Sequence, residues 1–128
     1  MAELPYRQLE VWQRAQLLAE EVLNLAASGQ LAREHWFRNQ LCSAAMSVSA
    51  NIAEGNGRST PLDYASFIDR ARGSLFEVDC WLDMARRQRW VSPEDVARID
   101  AHIHAVSGML LQLARSLRKR QTLPSRDG

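Results

Sequence analysis

SPEDVARIDAHIHAVSGMLLQLARSL, residues 92–117, decides the fold. Ser92 offers a hydroxyl at an N-cap position, and Pro93 fits the first helical residue, where no amide donor is needed. Glu94 and Asp95 then place negative charge at the positive end of the helix dipole. From there Val96, Ile99, Ile103, Val106, Leu110, Leu113 and Leu117 recur at alternating steps of three and four. That is an a/d seam sustained over three heptads, and it needs a partner helix of the same period.

The preceding segment supplies the partner. Thr60, Pro61 and Asp63 repeat the start signal, and Tyr64, Ile68, Ala71, Leu75, Val78, Leu82 and Ala85 repeat the seam. Two seams of one period pack at the shallow angle of a left-handed bundle. Upstream, Phe37, Leu41, Ala44, Ala45, Val48 and Ile52 form a third stripe, which Gly55 is expected to end as a C′ glycine. Trp12, Ala15, Leu18, Val22 and Leu25 form a looser fourth before Ser28 and Gly29. No stretch alternates with the period of a strand. Connections near residues 28–34, 55–60 and 90–92 are short, so neighbouring helices run antiparallel. The expectation is an all-α protein: a single up-down-up-down antiparallel four-helix bundle, left-handed, over residues 1–120. A disordered tail is expected at 121–128, where Pro124, Ser125 and Gly128 fall.

The 128 residues suit one domain, and 46% hydrophobic with 24% charged residues is ordinary for a soluble one. No apolar run approaches the roughly 20 residues that span a bilayer. The first five residues lack the basic start of a secretory signal. A cytoplasmic location follows as an expectation. Cys42 and Cys80 match no metal or disulfide spacing and read as free thiols. Net charge is +1, yet Arg115, Arg118, Lys119 and Arg120 form a short basic run. Such a run suits a helix C-terminus, with nucleic-acid contact as the competing account.

Catalytic and metal chemistry finds little in the sequence. A di-iron bundle asks for Glu-x-x-His twice, and no glutamate here has histidine three residues on. His102 and His104 point to different sides of a helix, and Asp100 with His104 reads as a surface ion pair. Gly55-Asn56-Gly57-Arg58-Ser59 lacks the Gly-Lys-Ser/Thr ending and the preceding strand of a phosphate loop. No cofactor, metal or catalytic residue is implied.

Two regularities lie off the core seams. Gln40, Ser43, Ser47, Asn51 and Glu54 recur every three or four residues, as do Ser66, Arg70, Ser74 and Glu77. Folding the hairpin about residue 58 brings these stripes together as a buried or interfacial network. Alternatively they are the solvated faces of two amphipathic helices. Leu62, Phe67, Phe76, Trp81, Met109 and Leu111 point in more directions than one core can use and form a candidate interface between copies.

Tyr6-Arg7-Gln8-Leu9-Glu10-Val11-Trp12, Gln40-Leu41, Asn51-Ile52-Ala53-Glu54-Gly55, Gly57-Arg58-Ser59 and Gly73-Ser74-Leu75 with Glu77 follow one another in a characteristic order. In that order the chain resembles the bacterial four-helix-bundle family first noticed in open reading frames inside ribosomal-RNA intervening sequences. The resemblance spans about residues 6–118. It implies a homopentameric ring, no enzymatic activity, and distant kinship to the accessory protein of diversity-generating retroelements, which joins a reverse transcriptase and binds nucleic acid. It marks Gln40, Ser47, Asn51, Glu54, Gly55, Arg58, Ser74 and Glu77 as the family's usual positions. Cys42 and Ser43 stand where the family often has arginines, which weakens the carry-over of nucleic-acid binding. The candidate contacts for nucleic acid are Arg58, Arg86, Arg87, Arg89, Arg115, Arg118, Lys119 and Arg120; each also serves as a solvating charge at a helix end or loop. The expected function is a homo-oligomeric scaffold for a nucleic acid or nucleoprotein. A protein-interaction module is the alternative, and an enzyme built on Glu54 and Glu77 comes third.

Overall fold

The structure is a computed structural model that describes residues 2–122. Four helices run in chain order: α1 (Glu10–Ala26), α2 (His35–Asn56), α3 (Pro61–Arg87) and α4 (Pro93–Thr122). Single 3-10 turns at Pro5–Gln8 and Leu31–Arg33 precede α1 and α2. Each helix packs on its two sequence neighbours, with α4 closing against α1, and no strand occurs among the described residues. The chain is an all-α four-helix bundle. Gln121 and Thr122 continue α4, so the expected tail loses its first two residues to helix; residues 123–128 lie outside the described residues.

The seams carry the core. Ile68, Ala71, Leu75, Val78, Leu82 and Ala85 of α3 face Ile99, Ile103, Val106, Leu110 and Leu117 of α4, and all are buried. Tyr64, Val96 and Leu113 stand half-buried at its edge. The buried valine, leucine and isoleucine side chains stabilise by roughly 1.5–3 kcal/mol each when fully removed from water. The start signals act as read: Thr60 Oγ1 accepts from the Asp63 amide at 3.1 Å, and Ser92 Oγ accepts from the Asp95 amide at 3.1 Å.

Gly55 does not act as read. The helix passes through it to Asn56, and Gly57 caps the end with φ −80°, so no left-handed C′ glycine stops α2. Gly55 is buried, and a Cβ there would stand 2.8 Å from Phe67 Cβ and 3.0 Å from Tyr64 Cδ1. Its missing side chain lets α2 and α3 approach at their shared turn, which the Asn56 Nδ2 donation to Tyr64 Oη at 3.3 Å also ties.

The α3–α4 turn uses a left-handed residue that is not glycine. Arg89 has φ 62°, its amide bonds the Arg86 carbonyl, and the Trp90 amide bonds the Ala85 carbonyl, both at 3.0 Å. That pair of bonds is a Schellman cap. It turns Trp90 inward onto Phe37, 5.1 Å between ring centroids.

Candidate interaction surfaces

The polar stripes face outward in the single chain. Gln40, Ser43, Glu54, Ser66, Arg70 and Glu77 are exposed, Ser47, Asn51 and Ser74 are half-buried, and of the marked family positions only Gly55 is buried. Among the described residues, no side-chain hydrogen bond crosses from one stripe to the other. Asn51 Nδ2 donates back to the Ser47 carbonyl of its own helix at 2.9 Å. The α2–α3 network expected from hairpin folding is therefore absent within one chain, because both stripes sit on the solvent side of the α2–α3 contact. The buried polar group is one the sequence reading passed over. Ser49 donates to Gln16 Oε1 at 2.7 Å, joining α2 to α1 instead. Its sequence signal was a serine falling at the edge of the Ala45–Ile52 seam.

The candidate interface residues separate into three places. Asp69 pairs with Arg118 across α3 and α4. Phe76 lies two turns beyond Asp69 and Leu111 two turns before Arg118, so the antiparallel register sets Phe76 beside Leu111. Leu62, two turns before Asp69, continues the same line. Leu62 and Phe76 are 56% and 53% exposed, and Leu111 is half-buried. These three form one outward stripe on the α3–α4 face.

Trp81 belongs elsewhere. It is half-buried on the α2 side, with ring centroids 5.6 Å from Phe37 and 6.2 Å from Trp36. Trp36, at 67% exposure, is the most exposed large apolar residue of the described chain and was missed. Its position one residue before the core Phe37, off the α2 seam, was the available signal. Met109 lies on the α1 side, in an open cleft of about 320 Å³ with Glu10, Val11 and Leu113.

Phe67 is a correction. It is 5% exposed and cannot present its ring to another molecule. Gly55 lets it sink between α2 and α3, and the guanidiniums of Arg58 and Arg70 cover it at 4.4 and 4.5 Å from the ring centroid.

The eight basic candidates do not form one patch. Arg58, Arg115, Arg118, Lys119 and Arg120 lie at the end holding the α2–α3 turn and the α4 C-terminus, whereas Arg86, Arg87 and Arg89 lie at the other end. Arg86 and Arg87 both hold Asp83, at 2.8 and 2.9 Å, and those hydrogen bonds pull the Asp83 carboxyl below the usual carboxylate range. His104 pairs with Asp100 at 3.4 Å on the exposed side of α4.

Both cysteines are free. Burial pushes the Cys42 thiol up, against a smaller opposing pull from Arg38. Among the described residues no group of three His, Cys, Asp or Glu could hold a metal ion. A second cleft, about 370 Å³, opens between the α1 C-terminus and the α3–α4 turn, lined by Leu25, Arg89, Trp90 and Ser92. Glu54 and Glu77 line neither cleft. No helix among the described residues is long and apolar enough to cross a membrane.

Comparison with known proteins bears on this arrangement. The sequence pattern of a family described as 23S rRNA-intervening sequence protein matches residues 7–112. Among curated proteins there is no match. A crystal structure of a protein of unknown function from the S23 ribosomal protein family of Bacteroides thetaiotaomicron superposes with a TM-score of 0.75. The two chains share 18% identity, and the match covers 81% of this chain and 97% of that one. At that identity the likeness is one of fold.

Proposed function

The chain belongs to the 23S rRNA-intervening sequence protein family, and on that premise we propose that it is a non-catalytic homo-oligomeric scaffold, a ring of five copies in the cytoplasm, that binds a nucleic acid or nucleoprotein. The observation that carries self-assembly is the pair of outward apolar patches. Leu62, Phe76 and Leu111 line the α3–α4 face, and Trp36 with Trp81 forms a corner between α2 and α3. A closed ring needs two different surfaces that fit each other, since every copy meets one neighbour with each. Two unlike patches in two places suit that requirement better than the single self-complementary patch of a two-fold dimer. The outward polar stripes, rich in serine, lie beside the Trp36 corner and suit close approach of a neighbouring helix.

Free thiols fit a reducing compartment. The nucleic-acid part draws on the exposed arginines and on avidity, since a ring repeats each weak basic site. A purely protein-binding module is the second reading, and the 67% exposure of Trp36 favours it.

Phe76→Glu combined with Leu111→Glu tests the assembly. The double variant is expected to remain helical by circular dichroism while its solution mass falls to that of one chain; an unchanged mass would place the contact elsewhere. Structured RNA or DNA offered at about 50 mM salt, where phosphate contacts are strongest, tests the second half. Absence of binding there, with salt-insensitive retention of one protein partner, would give the function to the protein-binding module.

A further inference from the structure

We propose that the end of the bundle formed by the α2–α3 turn and the last turns of α4 is the nucleic-acid contact surface, and that the arginines of the opposite end take no part. The inference rests on the nucleic-acid reading above and gives it a place.

Dividing each helix at its midpoint puts residues 2–18, 46–74 and 108–122 in one half of the bundle and 19–45 with 75–107 in the other. Among the described residues the first half holds nine bases against five acids, and the second six bases against nine acids. A chain of net charge +1 is thus polarised, with net +4 at one end and −3 at the other. Binding a polyanion depends on local phosphate neutralisation by Lys and Arg, so this segregation matters more than the chain's total. The acidic end repels phosphate.

The state of individual arginines sharpens the contrast. At the acidic end Arg86 and Arg87 share Asp83, and Arg98 is held by Glu21 at 2.7 Å and Asp95 at 2.8 Å. At the basic end Arg118 is held by Asp69, whereas Arg58 and Arg70 rest on the Phe67 ring rather than on carboxylates. Arg7 likewise lies over Tyr6 and Trp12, at 5.7 and 5.8 Å. A guanidinium supported on a ring face keeps its N–H edge available for a phosphate. The ring also restricts the side chain before contact, which reduces the ordering cost of binding. Gly55 belongs to this device, because its missing Cβ seats Phe67 beneath the two arginines. Arg115 and Arg120 extend the surface as exposed charges on α4. Rotation about one ring axis would turn this end to the same side in every copy, repeating the surface around the assembly.

The test titrates the full chain against a labelled RNA hairpin and a labelled DNA duplex, from about 50 to about 200 mM salt. Three paired variants are compared with wild type: Arg58→Gln with Arg70→Gln, Arg115→Gln with Arg120→Gln, and Arg86→Gln with Arg87→Gln. Each phosphate contact contributes about 0.9 to the log–log salt slope on duplex DNA. Each basic-end pair is therefore expected to lower the slope by nearly 2 and to weaken binding several-fold at low salt. The Arg86 and Arg87 pair is expected to leave the slope unchanged. Should removal of Arg58 and Arg70 uncover Phe67 and lower the melting temperature into the assay range, the Arg115 and Arg120 pair decides. Equal or greater loss from the Arg86 and Arg87 pair, or no loss from either basic-end pair, overturns the assigned surface and leaves the nucleic-acid reading standing. Wild type that binds neither probe overturns both.

Discussion

At Gly55 α2 approaches α3 without room for a Cβ, and its substitution should be felt out of proportion to its size. The obstructing atom, Phe67 Cβ at 2.8 Å, is fixed to the α3 backbone and cannot swing away. Gly55→Ala is expected to cost about 1–3 kcal/mol, the range for overpacking a filled core. Gly108→Ala is the counterpart: nothing lies within 4 Å of a Cβ there, and a glycine inside a helix is replaced. It should gain about 0.5–1 kcal/mol. Thermal melts of the two variants should move in opposite directions, and a shared direction would refute the distinction. Reading Gly55 as a helix terminator failed because glycine serves two ends, a left-handed backbone or a close approach, and one sequence does not separate them. The thiols offer a second contrast at this scale. Cys80 is exposed, while Cys42 is half-buried with its thiol pushed up by burial, so iodoacetamide near neutral pH should label Cys80 first. Earlier labelling of Cys42, read by peptide mass mapping, would contradict the packing on the α1 side of α2.

The helices themselves were the most legible feature, since burial repeats with the turn of the helix. Every α3 and α4 residue assigned to a seam is buried or half-buried. What escaped were small or flanking members such as Val11, Ala19, Ala65 and Ala114, which are buried by how the helices lean together. Caps divide in the same way. Thr60 and Ser92 announce themselves by residue type, whereas the Schellman turn at Arg89 does not, because an arginine occupies the position that favours glycine. Thr60→Ala should therefore lower stability by about 1 kcal/mol through loss of its bond to the Asp63 amide. Arg89→Gly should raise it by roughly 1 kcal/mol by relieving a left-handed residue that carries a side chain. Denaturant midpoints at constant m-value measure both. A loss at Arg89→Gly would show that its side chain contributes more than its backbone costs.

For the whole molecule, three of the six residues read as surplus to the core, Leu62, Phe76 and Leu111, line up on the α3–α4 face. Phe67 went inward, and Trp81 and Met109 turned to other faces. The register that decides this is visible in the Asp69–Arg118 pair and not in either helix alone. The basic residues show the same limit, for their separation to opposite ends follows from topology and their neutralisation from single contacts such as Asp83. Self-assembly is the central claim that joins these surfaces. The native mass of the purified chain, by mass spectrometry from volatile buffer and by light scattering, tests it most directly. The expected result is a single species of five chains, each 14.5 kDa; a monomer at all accessible concentrations would contradict it.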